Sequence, residues 1–180
     1  MRPPSPRDAF PHLIETARLR LHKPERRQQS TYAQFAAVTL SPAEPPSEVK
    51  GEAFAAFMIE HWDRYGFGFL VAEVVENPGP PVTIGHAGFK YVDAWPDHWP
   101  ENYEAIELGY ALVPAARGRG YATEAARAVL LAAFAAFDVA SIRARCNVEN
   151  VKSAAVLLRC GMTELEATDT RRRFEIARPA

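Results

Sequence analysis

The stretch that most constrains this chain runs from Ala105 to Glu124 and reads A-I-E-L-G-Y-A-L-V-P-A-A-R-G-R-G-Y-A-T-E. Its first part alternates: Ile106, Leu108, Tyr110 and Leu112 fall on one side, Glu107, Gly109 and Ala111 on the other, which predicts a strand. Pro114 has no N–H for a sheet ladder and closes that strand. A short loop with Gly118, Gly120, Arg117 and Arg119 comes next. From Tyr121 a helical period begins, with Ala122, Ala125, Ala126, Val129, Leu130, Ala133, Phe134 and Phe137 on one face. A strand, a glycine-bearing loop and a helix start together present free backbone N–H groups and a positive helix end to an anion.

Two familiar anions do not fit the spelling. Position 123 is Thr, so the G-x-G-x-x-G dinucleotide fingerprint is incomplete, and no G-x-x-x-x-G-K-[ST] loop occurs. The plain alternative is that the glycines only make a turn. Against it stand the preceding strand, the immediate helix and a second polar helix start at Asn150.

Composition narrows the class. The 180 residues suit one domain, with 1–12, Pro-rich, as a loose arm and 13–180 as the folded body. Net charge is −1 with no Lys/Arg block, which disfavours nucleic acid as a partner. The longest apolar stretch, Ala125 to Phe137, is too short to span a bilayer, and no signal peptide is visible, so a cytoplasmic protein is expected. Cys146 and Cys160 then read as free thiols. His12, His22, His61 and His86 show no metal-ligand spacing, so no metal is expected.

The pattern along the chain is mixed α/β with hairpins. Strands are expected over Leu13–Leu21, Gly66–Val75, Val82–Val92, Ala105–Val113, Ser141–Cys146, Met162–Glu166 and Arg173–Ala177. Helices are expected over Pro24–Val38, Glu48–Arg64, from Tyr121 to Phe137, and over Asn150–Cys160, the last ended by Gly161. The order is not a strict β-α-β-α alternation, which argues against a doubly wound nucleotide fold.

Several blocks together resemble one family. Arg117-Gly118-Arg119-Gly120-Tyr121-Ala122 matches the [QR]-x-x-G-x-[GA] acyl-CoA motif of the GNAT N-acetyltransferases. E-L-G-Y, R-G-x-G-Y-A-T-E-A, N-x-x-S, C-G-M and the opening I-E-T-A-R-L-R-L are similar to the ribosomal-protein N-acetyltransferase (RimJ/RimL-like) branch. The resemblance runs from about Ile14 to Ala177. It implies a single α/β (α+β) domain with a mostly antiparallel central sheet, splayed at the CoA site, and helices on both faces. It implies acetyl-CoA as co-substrate, an amine acceptor, and for many relatives a homodimer.

By the same resemblance the CoA pyrophosphate would rest on backbone N–H groups of Arg117, Gly118, Arg119, Gly120, Tyr121 and Ala122, with Thr123 adding a hydroxyl. The thioester carbonyl would be polarised by a main-chain N–H at Leu112 or Val113. Asn150 and Ser153 match the family's Asn-x-x-Ser; their bland role is a helix cap, and the two roles can coexist. Glu107, on the strand nearest the acetyl group, is the first candidate for the base that deprotonates the amine, against the alternative of a solvated carboxylate. Some family members protonate the leaving thiolate with a tyrosine at the position of Leu157, which this chain lacks. A CoA-binding regulatory or scaffold protein with little turnover is therefore the second reading.

The acceptor is read from the loop before that strand. Asp93 to Glu107 holds five acids (Asp93, Asp97, Glu101, Glu104, Glu107), no Lys or Arg, and the interleaved Trp95, His98, Trp99 and Tyr103. Acids with aromatics suit a cationic amine, with Trp95, Asp97, His98, Trp99 and Tyr103 as candidate contacts. The alternative is a solvated acidic loop whose tryptophans pack on the body.

Overall fold

The structure, a computed structural model, describes residues 9–39, 47–76, 79–91 and 106–179. The elements run β1 (Leu13–Glu15), β2 (Leu19–His22), α1 (Gln29–Thr39), α2 (Glu48–Tyr65), β3 (Phe69–Val74), β4 (Val82–Tyr91), β5 (Ile106–Leu112), α3 (Tyr121–Ala136), β6 (Ser141–Asn147), α4 (Val151–Arg159), β7 (Thr163–Ala167) and β8 (Arg171–Ala177). One eight-stranded sheet has the order β1-β2-β3-β4-β5-β6-β8-β7.

Every neighbouring pair is antiparallel except β5 and β6, which are parallel and joined through α3. That seam is short. β4 and β5 stay in register from Gly85↔Leu112 to Tyr91↔Ile106, whereas β5 and β6 pair only at Glu107↔Arg143 and Leu108↔Ala144. Beyond Leu108 the two strands part, which is the splay the family resemblance implies.

Alanines set how close the cross-over helix lies. Ala125, Ala126 and Ala133 of α3 are fully buried and, having no bulk beyond Cβ, let the helix sit against the sheet. Between them stand Ile106, Leu108, Leu112, Ile142, Ala144 and Phe174 from the strands. Each large apolar side chain so buried stabilises the fold by about 1.5–3 kcal/mol. On the opposite face α1 and α2 cover β3 with Tyr32, Ala33, Ala55 and Met58 on Phe69 and Val71. Ser47 caps α2 by accepting from the Lys50 N–H at 3.3 Å, and Gly66, at φ 73°, ends it.

Three expectations change. Leu13–Leu21 is not one strand but a hairpin, because Thr16 turns the chain: its N–H donates to the Leu19 carbonyl and its hydroxyl accepts from the Leu19 N–H, both at 2.9 Å. Phe10 falls within the stretch read as a loose arm, yet it is 1% exposed and stacks on Phe137 at 5.6 Å. The last strand starts two residues earlier than read, at Arg171. Among the described residues no helix is long and apolar enough to cross a membrane.

Candidate active site

The end of β5 is where the chain stops satisfying its own backbone. The Val113 N–H donates to the Ile84 carbonyl at 2.9 Å, so the odd-numbered residues of β5 point their amides toward β4. By alternation Leu112 and Tyr110 aim theirs at the opening beside β6, where pairing has ceased. Of the two amides expected to polarise a carbonyl, Val113 is thus committed to the sheet and Leu112 is the one that faces the gap. The Leu112 carbonyl is occupied by the Arg117 Nε–H at 2.9 Å, which folds the loop back on the strand it leaves.

After a 3₁₀ turn at Pro114–Ala116 the loop passes Gly118 (φ 76°) and Gly120 (φ 83°), both in the left-handed region that glycine enters without strain. Gly120 occupies the N-cap position of α3 and has no side chain to cap with. Among the described residues no protein group accepts from the amides of Gly118 to Thr123; the first bond of the helix is Glu124 N–H to the Gly120 carbonyl, 3.1 Å. A run of free amides at the positive end of a helix of 16 residues fits a pyrophosphate. Nothing stands within 4 Å of where a Gly118 Cβ would be, so a ligand can approach that backbone.

Two sequence blocks far apart in the chain hold this loop in place. Glu124 in the first turn of α3 accepts from the Thr16 hydroxyl (2.6 Å), the Arg18 N–H (3.0 Å) and Arg18 Nε (2.7 Å). Arg18 Nη1 then donates to the Arg119 carbonyl at 3.0 Å. Burial would raise the Glu124 carboxyl, but the hydrogen bonds from Thr16 and Arg18 outweigh it and hold the group below its usual range. The Tyr121 ring is buried under the Arg18 guanidinium, with its hydroxyl on Glu76. Sequence reasoning missed the Thr16–Arg18–Glu124 link; the presence of T-x-R in the opening block and T-E in the loop block was its one signal.

Asn150 caps α4, its side-chain oxygen accepting from the Ser153 N–H at 3.0 Å. Across the parted strands the Tyr110 hydroxyl reaches the Ser153 carbonyl at 3.1 Å and its Oγ at 2.9 Å. This bridge ties β5 to α4 where no β6 pairing exists. Burial raises the Tyr110 phenol well above its ordinary range, the hydrogen bond to Ser153 only partly offsetting it. Leu157 is 1% exposed and packs in the core. Burial also pushes the Cys146 and Cys160 thiols up, which leaves neither disposed to act as an acetyl carrier.

Glu107 lies on the other face of β5, 6% exposed, and is not a solvated carboxylate. Lys90 Nζ and Arg145 Nε both lie 3.2 Å from its Oε1. Burial lowers the Lys90 ammonium from its ordinary value, Glu107 opposing the shift. The five acceptor candidates Trp95, Asp97, His98, Trp99 and Tyr103 lie outside the described residues. Among the described residues no group of three or more His, Cys, Asp or Glu side chains could hold a metal.

A family model for the acetyltransferase (GNAT) domain matches residues 2–163, and the chain belongs to that family: it is an acetyl-CoA-dependent acetyltransferase. An acetyltransferase structure from Agrobacterium tumefaciens is 25% identical with a TM-score of 0.68, over 91% of this chain and 93% of that one. A GNAT-family acetyltransferase from Bacillus anthracis is 20% identical at TM-score 0.67, covering 92% and 98%. The ribosomal L7/L12 alpha-N-protein acetyltransferase RimL, solved with CoA, is 16% identical at TM-score 0.67, covering 92% and 97%. These last two likenesses are of fold, and the third is in keeping with the branch the motifs resemble. No curated protein sequence matches the chain.

Proposed function

We propose that the protein transfers acetyl from acetyl-CoA to a primary amine, either a protein N-terminal α-amine or a small cationic amine, by direct attack without an acetylated enzyme. The observation that carries this reading is the parting of β5 from β6 directly above a loop of free amides. Acetyl-CoA supplies the activated thioester; the chain supplies position, a donor and a base. The amides of Gly118 to Thr123 hold the pyrophosphate. The Leu112 N–H lies where an oxygen gaining negative charge in the gap would be stabilised, worth about 3 kcal/mol for one well-placed donor. Asn150 and Ser153 add polar contacts at the head of α4.

Glu107 receives the amine proton, directly or through water, while Lys90 and Arg145 fix its orientation. Glu107→Gln should lower kcat about 100-fold or more with CoA affinity retained. An unchanged rate–pH profile in that variant, with only a lowered melting temperature, would reduce Glu107 to an ion-pair anchor. Turnover itself is tested by CoA release from acetyl-CoA across a panel of amines. A second reading, a CoA binder with little turnover, is favoured by the apolar Leu157 where some relatives carry a hydroxyl. Tight CoA binding by calorimetry with no release on any amine would select it.

A further inference from the structure

Two imidazoles are buried where α2 covers the sheet, and the fold treats them differently. His61 uses both ring nitrogens: Nδ1–H donates to the Phe67 carbonyl at 2.8 Å and Nε2 accepts from the Tyr91 N–H at 2.9 Å. His86 of β4 is 7% exposed, yet neither of its ring nitrogens has a hydrogen-bond partner among the described residues. The ring lies instead against Phe54 at 4.8 Å and Phe69 at 5.2 Å. An apolar side chain of similar size would fill that place without leaving a buried polar group unpaired.

His86 borders a cavity of about 10 Å³ between α1, α2 and the sheet, room for about one water-sized group. Phe35 of α1, Met58 of α2 and Val71 of β3 give it apolar walls. Tyr32 also lines it, but its hydroxyl is engaged, donating to Gln28 Oε1 at 2.6 Å. A second polar group arrives through a bulge. The β3–β4 register slips between Ala72 and Glu73, which face Gly85 and Thr83, and Ile84 is the extra residue. Thr83 and His86, three apart, therefore line the same cavity. No described residue pairs with the Thr83 hydroxyl.

The chemistry of an occupant follows from these groups. A neutral imidazole has one N–H to donate and one nitrogen to accept, and a hydroxyl is the smallest group that complements both. Among the described residues none that lines the cavity is charged, so an ammonium or carboxylate would be desolvated there without a partner. Burial lowers His86 to about 4, in keeping with a neutral ring. The apolar walls suit a carbon stem.

We propose that this cavity binds the hydroxyl end of a small molecule with an apolar stem, His86 and Thr83 holding the oxygen. His86 stands opposite Ala111, so the site lies one strand away from the seam where β5 and β6 part. The hydroxyl belongs either to an amine acceptor whose stem crosses β5 or to a separate molecule. The inference does not depend on the acetyltransfer reading.

The test uses the full chain and three molecules of one length: hexanol, aminohexanol and hexylamine. Calorimetry gives their affinities, NMR of the imidazole resonances gives the place, and CoA release gives turnover. Hexanol and aminohexanol should shift the His86 resonances saturably and bind about tenfold tighter than hexylamine, the net size of one hydrogen bond. In His86→Leu that advantage should fall to about twofold or less, with the melting temperature reporting that the fold is kept. Thr83→Val, which keeps the imidazole, should lose about threefold. A KM for aminohexanol about tenfold below that of hexylamine assigns the hydroxyl to the acceptor. Equal KM values, with hexanol still bound at His86, assign it to a separate molecule. Hexylamine binding as tightly as the two alcohols overturns the inference, and so does an advantage that survives in His86→Leu. Hydroxyl-selective binding with no CoA release from either amine leaves the cavity standing and removes the acetyltransfer reading instead.

Discussion

The two seams on either side of β5 are built from the same strand and behave oppositely. Toward β4 seven residue pairs stay in register, and even the amide beyond the strand, Val113, is taken by Ile84. Toward β6 only two pairs form; past them the described residues leave a gap, beside which the Tyr110 phenol reaches Ser153 of α4. Parallel pairs need a long cross-over, and here that cross-over, α3, begins with the glycine loop itself. The closed seam gives rigidity; the open one gives a place for a ligand to be added as if it were a strand.

The sharpest way to break the open side is Gly120→Leu. At φ 83° a branched side chain strains the backbone, and its Cβ would already lie 3.3 Å from Arg18 Nη2. Displacing the amides from Gly118 to Thr123 should cost CoA at least 100-fold in affinity, about 3 kcal/mol. Calorimetry checks this, with circular dichroism confirming the fold. CoA binding equal to the parent's would show that these amides are not the anchor.

Next in size is the clamp behind the loop. Glu124→Gln removes the charge that accepts from Thr16 and Arg18, bonds worth about 1.5–3 kcal/mol each when one partner is ionised. With Arg18 only partly buried, a net loss of about 2 kcal/mol in unfolding free energy is expected, together with weaker CoA binding. Loss of stability with CoA affinity intact would separate the clamp from the loop that Arg18 grips at the Arg119 carbonyl.

Acid should attack the closed side first. His61 is buried in α2, its Nδ1–H on the Phe67 carbonyl at 2.8 Å and its Nε2 accepting from the Tyr91 N–H at 2.9 Å. It must therefore be neutral, and burial lowers it to about 4. His86, enclosed by Phe54 and Phe69, is lowered to about 4 by burial as well. A base depressed in the fold takes up protons more readily when unfolded, so both contributions are whole above pH 6.5. They decline as pH falls from about 6.5 toward about 4. Denaturant melts at pH 7, 5.5 and 4.5 should show the decline, and His61→Gln should flatten part of it.

Much of this was legible in the chain. The alternation of Ile106 to Leu112 gave both faces of β5: Ile106, Leu108, Tyr110 and Leu112 join the large core cluster, whereas Glu107 meets Lys90 and Arg145 on the other side. The glycines at 118 and 120 marked the turn into α3, where both backbones take the positive φ that glycine adopts without strain. Contacts between residues distant in sequence stayed hidden. Glu107 read equally as base or solvated acid, since Lys90 and Arg145, which bury its charge, come from two other strands. The neighbourhood of the arginines on β6 and β8 was hidden for the same reason: Arg143, Arg145, Arg171 and Arg173 come onto one face only when the two strands pair.

The smallest expected effect tests the bridge across the gap. Tyr110→Phe deletes the hydroxyl that reaches Ser153 and keeps the ring in the core, so the direct loss is the hydrogen bonding alone, about 1 kcal/mol. If the bridge only stabilises, CoA affinity and KM should be unchanged apart from that small drop in stability. If it sets the separation of β5 from α4, the Leu112 amide and the Asn150 cap lose their fixed relation, and KM for acetyl-CoA should rise about threefold to tenfold while the acceptor KM holds. That split is the reading we expect, because no strand pairing backs up the phenol there. The same substitution has no counterpart on the β4 side, where seven in-register pairs would absorb the loss of any one contact.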